Sequence, residues 1–225
     1  MHPIVTLSHC ASALREGTTS SRELVDQALA RIASLDGEGA RTFTRVHAEA
    51  ARQSAVVSDM LLAAGQARSG IEGLPISVKD LFDVAGDTTQ AGSVALQGHP
   101  AATEDAVAVQ RLKAAGAVIV GRTNMTEFAF SGLGINPHFG TPLNPWDRAT
   151  GRIPGGSSSG AAVSVADGMA LAGLGSDTGG SLRIPAALCG LVGFKPTASR
   201  VPTHGALPLS TSLDSVGAIA PSVAC

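Results

Sequence analysis

Apolar residues recur at helical spacing near the start of the chain. Leu24, Ala28, Leu29, Ile32 and Leu35 fall on one helix face, with Ser20 and Glu23 at capping-box spacing ahead of them. The pattern predicts a helix over about residues 21–35, ended by Asp36-Gly37. A short strand is predicted over Thr42 to Val46, then an alanine-rich helix from Ala48 to Ala64, ended near Gly65. Leu74, Ile76 and Val78 alternate with their neighbours as in a strand, and Pro75 sits near the start, where a missing donor is tolerated. Lys79 would leave the sheet at that strand's end. Thr103 reads as the N-cap of a helix with Glu104 and Asp105 in its first turn, Val109, Leu112 and Ala115 along it, and Gly116 closing it. Ala117 to Gly121 is a short continuous apolar run, the mark of a buried parallel strand.

Strand, helix and strand in this order predict a βαβ unit and hence an α/β sheet. Residues 130–156 form a turn-rich connection dense in Pro and Gly, and a loop of that length in a compact domain is usually functional. Beyond it the pattern gives a short helix from Ser159 to Asp167, a second buried apolar run from Met169 to Gly175, a helix through about Cys189, and a strand from Leu191 to Phe194 stopped by Lys195-Pro196. No internal repeat or low-complexity linker interrupts the chain. The expectation is one domain, with an N-terminal helical layer over residues 1–65 and an α/β core over residues 66–225.

Composition narrows the class. The chain has 225 residues, 44% hydrophobic and 15% charged, enough for a real core and too apolar for disorder. Aromatics are only 3%, so the core must be close-packed Ala, Val, Leu and Ile. A net charge of −2 without a basic run removes the electrostatic footprint of a nucleic-acid binder, and no direct nucleic-acid contact is expected. Cys10, Cys189 and Cys225 are far apart and form no CxxC, so they read as buried or idle thiols. His9 and His47 read as surface or cap residues, and no metal or other cofactor is expected. No signal-peptide pattern and no membrane-length apolar run is visible, so the expected location is cytoplasmic, away from membranes.

The densest chemistry lies between Gly151 and Ser181. These thirty-one residues hold nine glycines and six serines, gathered at Gly155–Gly160 and Asp177–Ser181 around an apolar segment. A flexible linker would not carry Val163, Val165, Met169, Leu171 and Leu174. The reading is packed backbone with exposed glycine-serine corners, where main-chain N–H groups can approach a ligand closely. Ser181 follows two glycines at a predicted helix start, so the residues alone leave it open between a helix cap and a nucleophile. The N–H groups of Thr178, Gly179, Gly180 and Ser181 are candidates for binding a developing oxyanion. A serine nucleophile needs a base. No histidine sits in a recognisable partner motif, and Ser181 reads Gly-Gly-Ser-Leu-Arg rather than the GxSxG elbow, so a Ser–Lys arrangement is the other known solution. Lys79 on its own evidence is a solvated strand-end lysine. Asn124 and Glu127, after the buried strand, read as loop ties rather than pocket groups.

Lys79 in "GLPISVKD", the "PGGSSSG" corner and "GSDTGGSLRIPA" together resemble the amidase signature family. The flanking "GRTNMTEF", "NPWD", "CGLVGFKPT", "RVPTHG" and "SLDSVG" segments extend the resemblance over most of residues 20–220, in order. It implies an amidase signature fold, a mixed β-sheet covered by helices on both sides. It also implies a Ser–cis-Ser–Lys triad, with Ser181 as nucleophile, Ser157 as the bridging serine after a cis peptide at Gly156–Ser157, and Lys79 as base. Lys79 would have to be neutral to act, which requires burial or neighbouring cations. Ser158 and Ser159 are expected to support by hydrogen bonding, and Asp177 and Arg183 to organise the loop without reacting. The implied activity is hydrolysis of a small-molecule carboxylic amide through a Ser181 acyl-enzyme. Two alternatives stay open: a glutamine-dependent amidotransferase component that works on mischarged tRNA together with partner subunits, and a non-catalytic binding module. A homodimer is compatible with a full-length protein. Domains of this family are about twice as long, so the chain is expected to be truncated, with the C-terminal remainder missing, apolar sheet surface exposed and the piece alone poorly stable. Leu182, where Ile or Val is usual, and the Ala218–Pro221 end region depart from the family pattern.

Overall fold

The computed structural model describes residues 5–225. One six-stranded mixed sheet organises them: β1 (Phe43–Val46), β2 (Pro75–Lys79), β3 (Val118–Thr123), β4 (Ala172–Asp177), β5 (Val192–Phe194) and β6 (Ser215–Ala220), in the order β1-β3-β2-β4-β6-β5. The central strands β3, β2 and β4 run parallel, and β1, β6 and β5 join antiparallel. Among the described residues seven α-helices cover the sheet: α1 (Leu7–Glu16), α2 (Ser21–Ile32), α3 (Gly39–Thr42), α4 (Ala48–Ala63), α5 (Val107–Ala114), α6 (Ser159–Ala166) and α7 (Arg183–Leu188). The mixed α/β architecture with helices on both faces is the one expected.

Strand alternation sends side chains to two separate cores. Ile76 and Val78 of β2, Ile119 of β3 and Leu174 of β4 pack with Leu7, Cys10 and Leu14 of α1 and Val109 of α5 on one face. Val118 and Val120 of β3 meet Val25, Leu29 and Ile32 of α2 and Ala51 and Ala55 of α4 on the other. Ala161, Ala162 and Val163 of α6 join Leu182, Ala186 and Ile219 in a third cluster. Ser77 faces α6 and shares a 2.9 Å hydrogen bond with Ser164. Small residues let α6 sit tight on the sheet. A methyl group on Gly160 would lie 2.5 Å from the Thr42 carbonyl and 2.6 Å from that of Asn124.

The predicted capping box exists, with the Glu23 N–H donating to Ser20 Oγ and the Ser20 N–H to the Glu23 carboxylate. The helix stops at Ile32 rather than near residue 35, and Leu35 stands fully exposed. The chain turns back there so closely that Gly39 lies against the Ile32 carbonyl, and the one-turn α3 follows. Thr103 does not cap α5. That helix begins at Val107 after Ala106, without a side-chain cap, and Asp105 instead binds Lys113 and the Ala85 N–H. His47 is not a surface group: it is the N-cap residue of α4 but its side chain caps nothing, and its Nε2 lies 2.6 Å from Asp87. Burial lowers its pKa against the raising pull of Asp87. His9 is exposed. Helix α1 and strand β6 had no counterpart in the predicted elements. The N-terminal segment supplies a sheet strand, β1, as well as helices. Cys10 and Cys189 are buried free thiols and Cys225 is a half-buried one. Burial, with the Asp167 carboxylate nearby, pushes the Cys189 thiol up to about 12.

Residues 130–156 form turns and irregular backbone with a single short 3-10 helix at Arg148–Thr150. On the edge strand β5, Phe194 is exposed, as are Ile184 and Leu188 of α7. Among the described residues no helix is long and apolar enough to cross a membrane.

Candidate active site

The site gathers at the C-terminal ends of the parallel strands β2 and β4, where strand ends and the loops after them converge. Lys79 closes β2 and is fully buried. Its Nζ lies 2.7 Å from Ser157 Oγ and 2.9 Å from Ser176 Oγ. Burial lowers its pKa from 10.5 to about 7, with Asp177 and Asp214 pulling the other way. A lysine amine with that pKa is half neutral near pH 7 and can both accept and return a proton.

Ser157 and Ser158 form the corner ahead of α6. The Gly156–Ser157 peptide is cis. Ser157 is buried, and its carbonyl accepts from the Thr126 N–H at 3.1 Å. The Ser158 N–H donates to the Ser181 carbonyl at 3.3 Å, which ties the two glycine-serine corners together. Ser158 Oγ donates to the Ser176 carbonyl at 3.3 Å. Ser159 departs from expectation: its buried hydroxyl has no hydrogen-bond partner among the described residues.

Strand β4 delivers the second corner. Asp177 is fully buried and organises the turn: its carboxylate accepts from the Leu182 N–H at 3.1 Å, the Arg183 N–H at 3.4 Å, and Arg183 Nε and Nη2 at 3.0 and 2.9 Å. Burial pushes the Asp177 carboxyl up, but the Arg183 guanidinium and the two backbone donors outweigh it and hold the pKa below the usual value. Gly180 has φ of 139°, a conformation open to glycine, and a methyl group there would strike Ile184 at 2.7 Å. Among the described residues the N–H groups of Thr178, Gly179, Gly180 and Ser181 make no hydrogen bond. A methyl group on Gly179 would meet nothing within 4 Å, so that backbone faces open space. Free donors beside an open cleft are the arrangement an oxyanion needs.

The cleft in front of Ser181 has a volume of about 330 Å³ and is lined by Ala129, Phe130, Thr178, Gly179, Ile184 and Leu209 among others. A larger hollow of about 680 Å³ lies elsewhere, between the start of α4 and the start of β3. Its Asp87 is already bound by Arg45 at 3.0 Å and by His47, its Lys113 by Asp105 and its Arg68 by Glu72, so the smaller cleft beside Ser181 is the functional candidate.

Asn124 is buried and serves loops rather than the cleft. Its Nδ2 donates to the Arg41 and Gly140 carbonyls and its Oδ1 accepts from the Met125 N–H. Glu127 is bound by Ser93 and His138. Four residues that sequence reasoning passed over matter here. Ser176 is the second hydroxyl on Lys79, and only the approach of β2 to β4 reveals it. Asp80 and Arg122 form a buried pair at 2.7 Å directly behind Lys79. Burial raises the Asp80 pKa in spite of Arg122, and Asp80 also accepts from the Gly92 N–H at 3.3 Å. Asp214 reaches Thr178 from the segment before β6.

A parallel-centred mixed sheet with a buried lysine bonded to a serine, and a glycine-serine turn at its strand ends, defines a mixed α/β protein with its candidate site at the ends of the parallel strands. The chain belongs to the amidase family, whose model matches residues 23–224. It is 50% identical over 205 residues to the A subunit of the glutamyl-tRNA(Gln) amidotransferase of Anaeromyxobacter dehalogenans (strain 2CP-C), covering 91% of this chain and 41% of that protein. It is 46% identical over 210 residues to AtzE, the 1-carboxybiuret hydrolase component of Pseudomonas sp. (strain ADP), covering 93% of this chain and 45% of that one. Among solved structures, the native peptide amidase of Stenotrophomonas maltophilia superposes with a TM-score of 0.88 at 37% identity, over 98% of this chain and 46% of that chain. The chain thus spans less than half the length of the curated relatives it matches.

Proposed function

We propose that the protein hydrolyses a carboxylic amide to the acid and an amine or ammonia, with Ser181 as nucleophile, Ser157 as proton relay and Lys79 as base. The observation that carries this reading is the fully buried Lys79, 2.7 Å from Ser157, with its pKa lowered by burial to about 7. Neutral Lys79 accepts the Ser157 proton as Ser157 takes the proton of Ser181, and Ser181 Oγ attacks the amide carbon. The oxyanion settles on the unbonded N–H groups of the 178–181 turn. The proton returns through Ser157 to the leaving amine, and water then releases the acid from the Ser181 ester. The substrate is a small-molecule amide, and the chain is one part of the catalytic domain, from the helical layer through the α/β core.

Incubation of the full-length protein with a serine-reactive phosphonate, followed by peptide mass spectrometry, tests this. The expected result is a single adduct on Ser181, lost in Lys79→Ala together with ammonia release from an amide panel. Normal turnover in Lys79→Ala would overturn the triad, and absence of an adduct on the folded protein would favour a binding module.

A second reading has its own support, since a relative at 50% identity belongs to a glutamyl-tRNA(Gln) amidotransferase. Under it the same triad hydrolyses glutamine inside a multisubunit complex. Glutaminase activity that requires a partner protein would favour this reading, whereas turnover of simple amides by the isolated protein favours the first.

A further inference from the structure

Asp214 lies in the "SLDSVG" segment, just before β6, and the reaction described above gives it no part. Its carboxylate is the meeting point of two walls. One oxygen accepts a hydrogen bond from Thr178 Oγ1, at the first position after β4. The other accepts from the N–H groups of Leu209 and Ser210, at 2.9 and 3.1 Å. Pairing of Asp177 with Ser215 across β4 and β6 brings the two segments into register.

These partners face the cleft. Thr178 and Leu209 both line the hollow in front of Ser181. Both also line, with Ser176 and Asp214 itself, a smaller cavity of about 100 Å³ next to it. Ser176 in turn binds Lys79. We propose that Asp214 is a positioning residue that clamps the 207–210 wall onto the turn carrying Ser181, fixing both the cleft and the free N–H groups of that turn. The proposal rests on the triad reading.

The clamp has an electrostatic counterpart. The carboxylates that act on Lys79 are Asp177 at the end of β4 and Asp214 before β6, and both raise its pKa against burial. Asp80, the residue after Lys79 just beyond β2, is bound by Arg122. The hydroxyls of Ser157 and Ser176 complete the polar surroundings of the amine. Removing the Asp214 charge therefore lets Lys79 become neutral at lower pH.

Two substitutions in the full-length protein separate the charge from the clamp. In Asp214→Asn the amide oxygen can still accept from Leu209 and Ser210, and the NH₂ group can donate to Thr178. The expected result is an acid limb of the kcat/KM profile displaced to lower pH, with KM unchanged. Asp214→Ala cuts all three ties, and kcat/KM is expected to fall about 10- to 100-fold, since a displacement of about 1 Å at a reacting group has that scale of cost. If Asp214→Ala does not fold, Thr178→Val cuts the Thr178 tie alone and carries the same expected loss. A lower Tm with a wild-type acid limb in Asp214→Asn, or wild-type kcat and KM in Asp214→Ala, would overturn the assignment. Lys79→Ala is measured alongside. If it retains turnover, the triad reading falls and this proposal with it. If it is dead while the Asp214 variants behave as wild type, only the role of Asp214 is refuted.

Discussion

Replacing Lys79 with methionine should abolish turnover and, at neutral pH, stabilise the protein. Folding carries the Lys79 amine from water into a fully buried position and lowers its pKa from 10.5 to about 7. The unfolded chain therefore holds this proton over a pH range in which the folded chain has released it. Stability rises with pH wherever the unfolded state binds more protons. The penalty is complete below about pH 7, where it amounts to about 5 kcal/mol, and it disappears as pH rises from about 7 to about 10.5. At pH 7 itself, with the folded amine half protonated, about 4 kcal/mol remain, and at pH 9 about 2 kcal/mol. Methionine has a similar length and no charge. It forfeits the hydrogen bonds to Ser157 and Ser176, at about 1 kcal/mol each. The net expectation is a variant about 2 kcal/mol more stable than the parent at pH 7 and about equal to it at pH 9. Urea denaturation of both full-length proteins at the two pH values measures this. An advantage that is the same at pH 7 and pH 9 would refute the claim that a buried, titrating amine is its source.

Gly160→Ala should destabilise the protein by at least about 3 kcal/mol, read as a fall in the urea midpoint, because the added methyl group meets two backbone carbonyls and the Asn124 amide nitrogen within 2.7 Å. Arg122→Leu should cost about 3–5 kcal/mol, since it leaves Asp80 buried without its partner, and Asp80→Asn in the same chain should recover part of that loss in a double-mutant cycle.

Much of the architecture was legible because it depends on local rules. The Ser20–Glu23 box, the alternation through Leu74–Val78 and the apolar run before Gly121 each reflect a short-range periodicity that survives into the structure. Errors arose where longer-range contacts overrode the local signal. Leu35 fits the helical spacing but lies beyond the point where Gly39 folds back on Ile32. Asp105 follows a good cap residue, Thr103, yet spends its carboxylate on Lys113 and the Ala85 N–H, so the helix starts later. Strand β6 carries glycine and small residues that read weakly alone, and it forms because β4 and β5 offer ladders on both sides.

The sequence by itself determined that two glycine-serine corners flank a rigid apolar segment, and its motifs marked Lys79, Ser157 and Ser181. Those are properties of residue type and order, which a chain carries whether folded or not. Only the tertiary structure decided that Lys79 is a buried amine with a lowered pKa rather than a solvated strand-end lysine. Its pKa follows from the water that the β2–β4 junction excludes and from Asp177, which lies 98 residues away along the chain, and Asp214, 135 residues away. Its second hydroxyl partner, Ser176, lies on a neighbouring strand. Desolvation and charge act through space, so neither can be read from a lysine's neighbours in sequence.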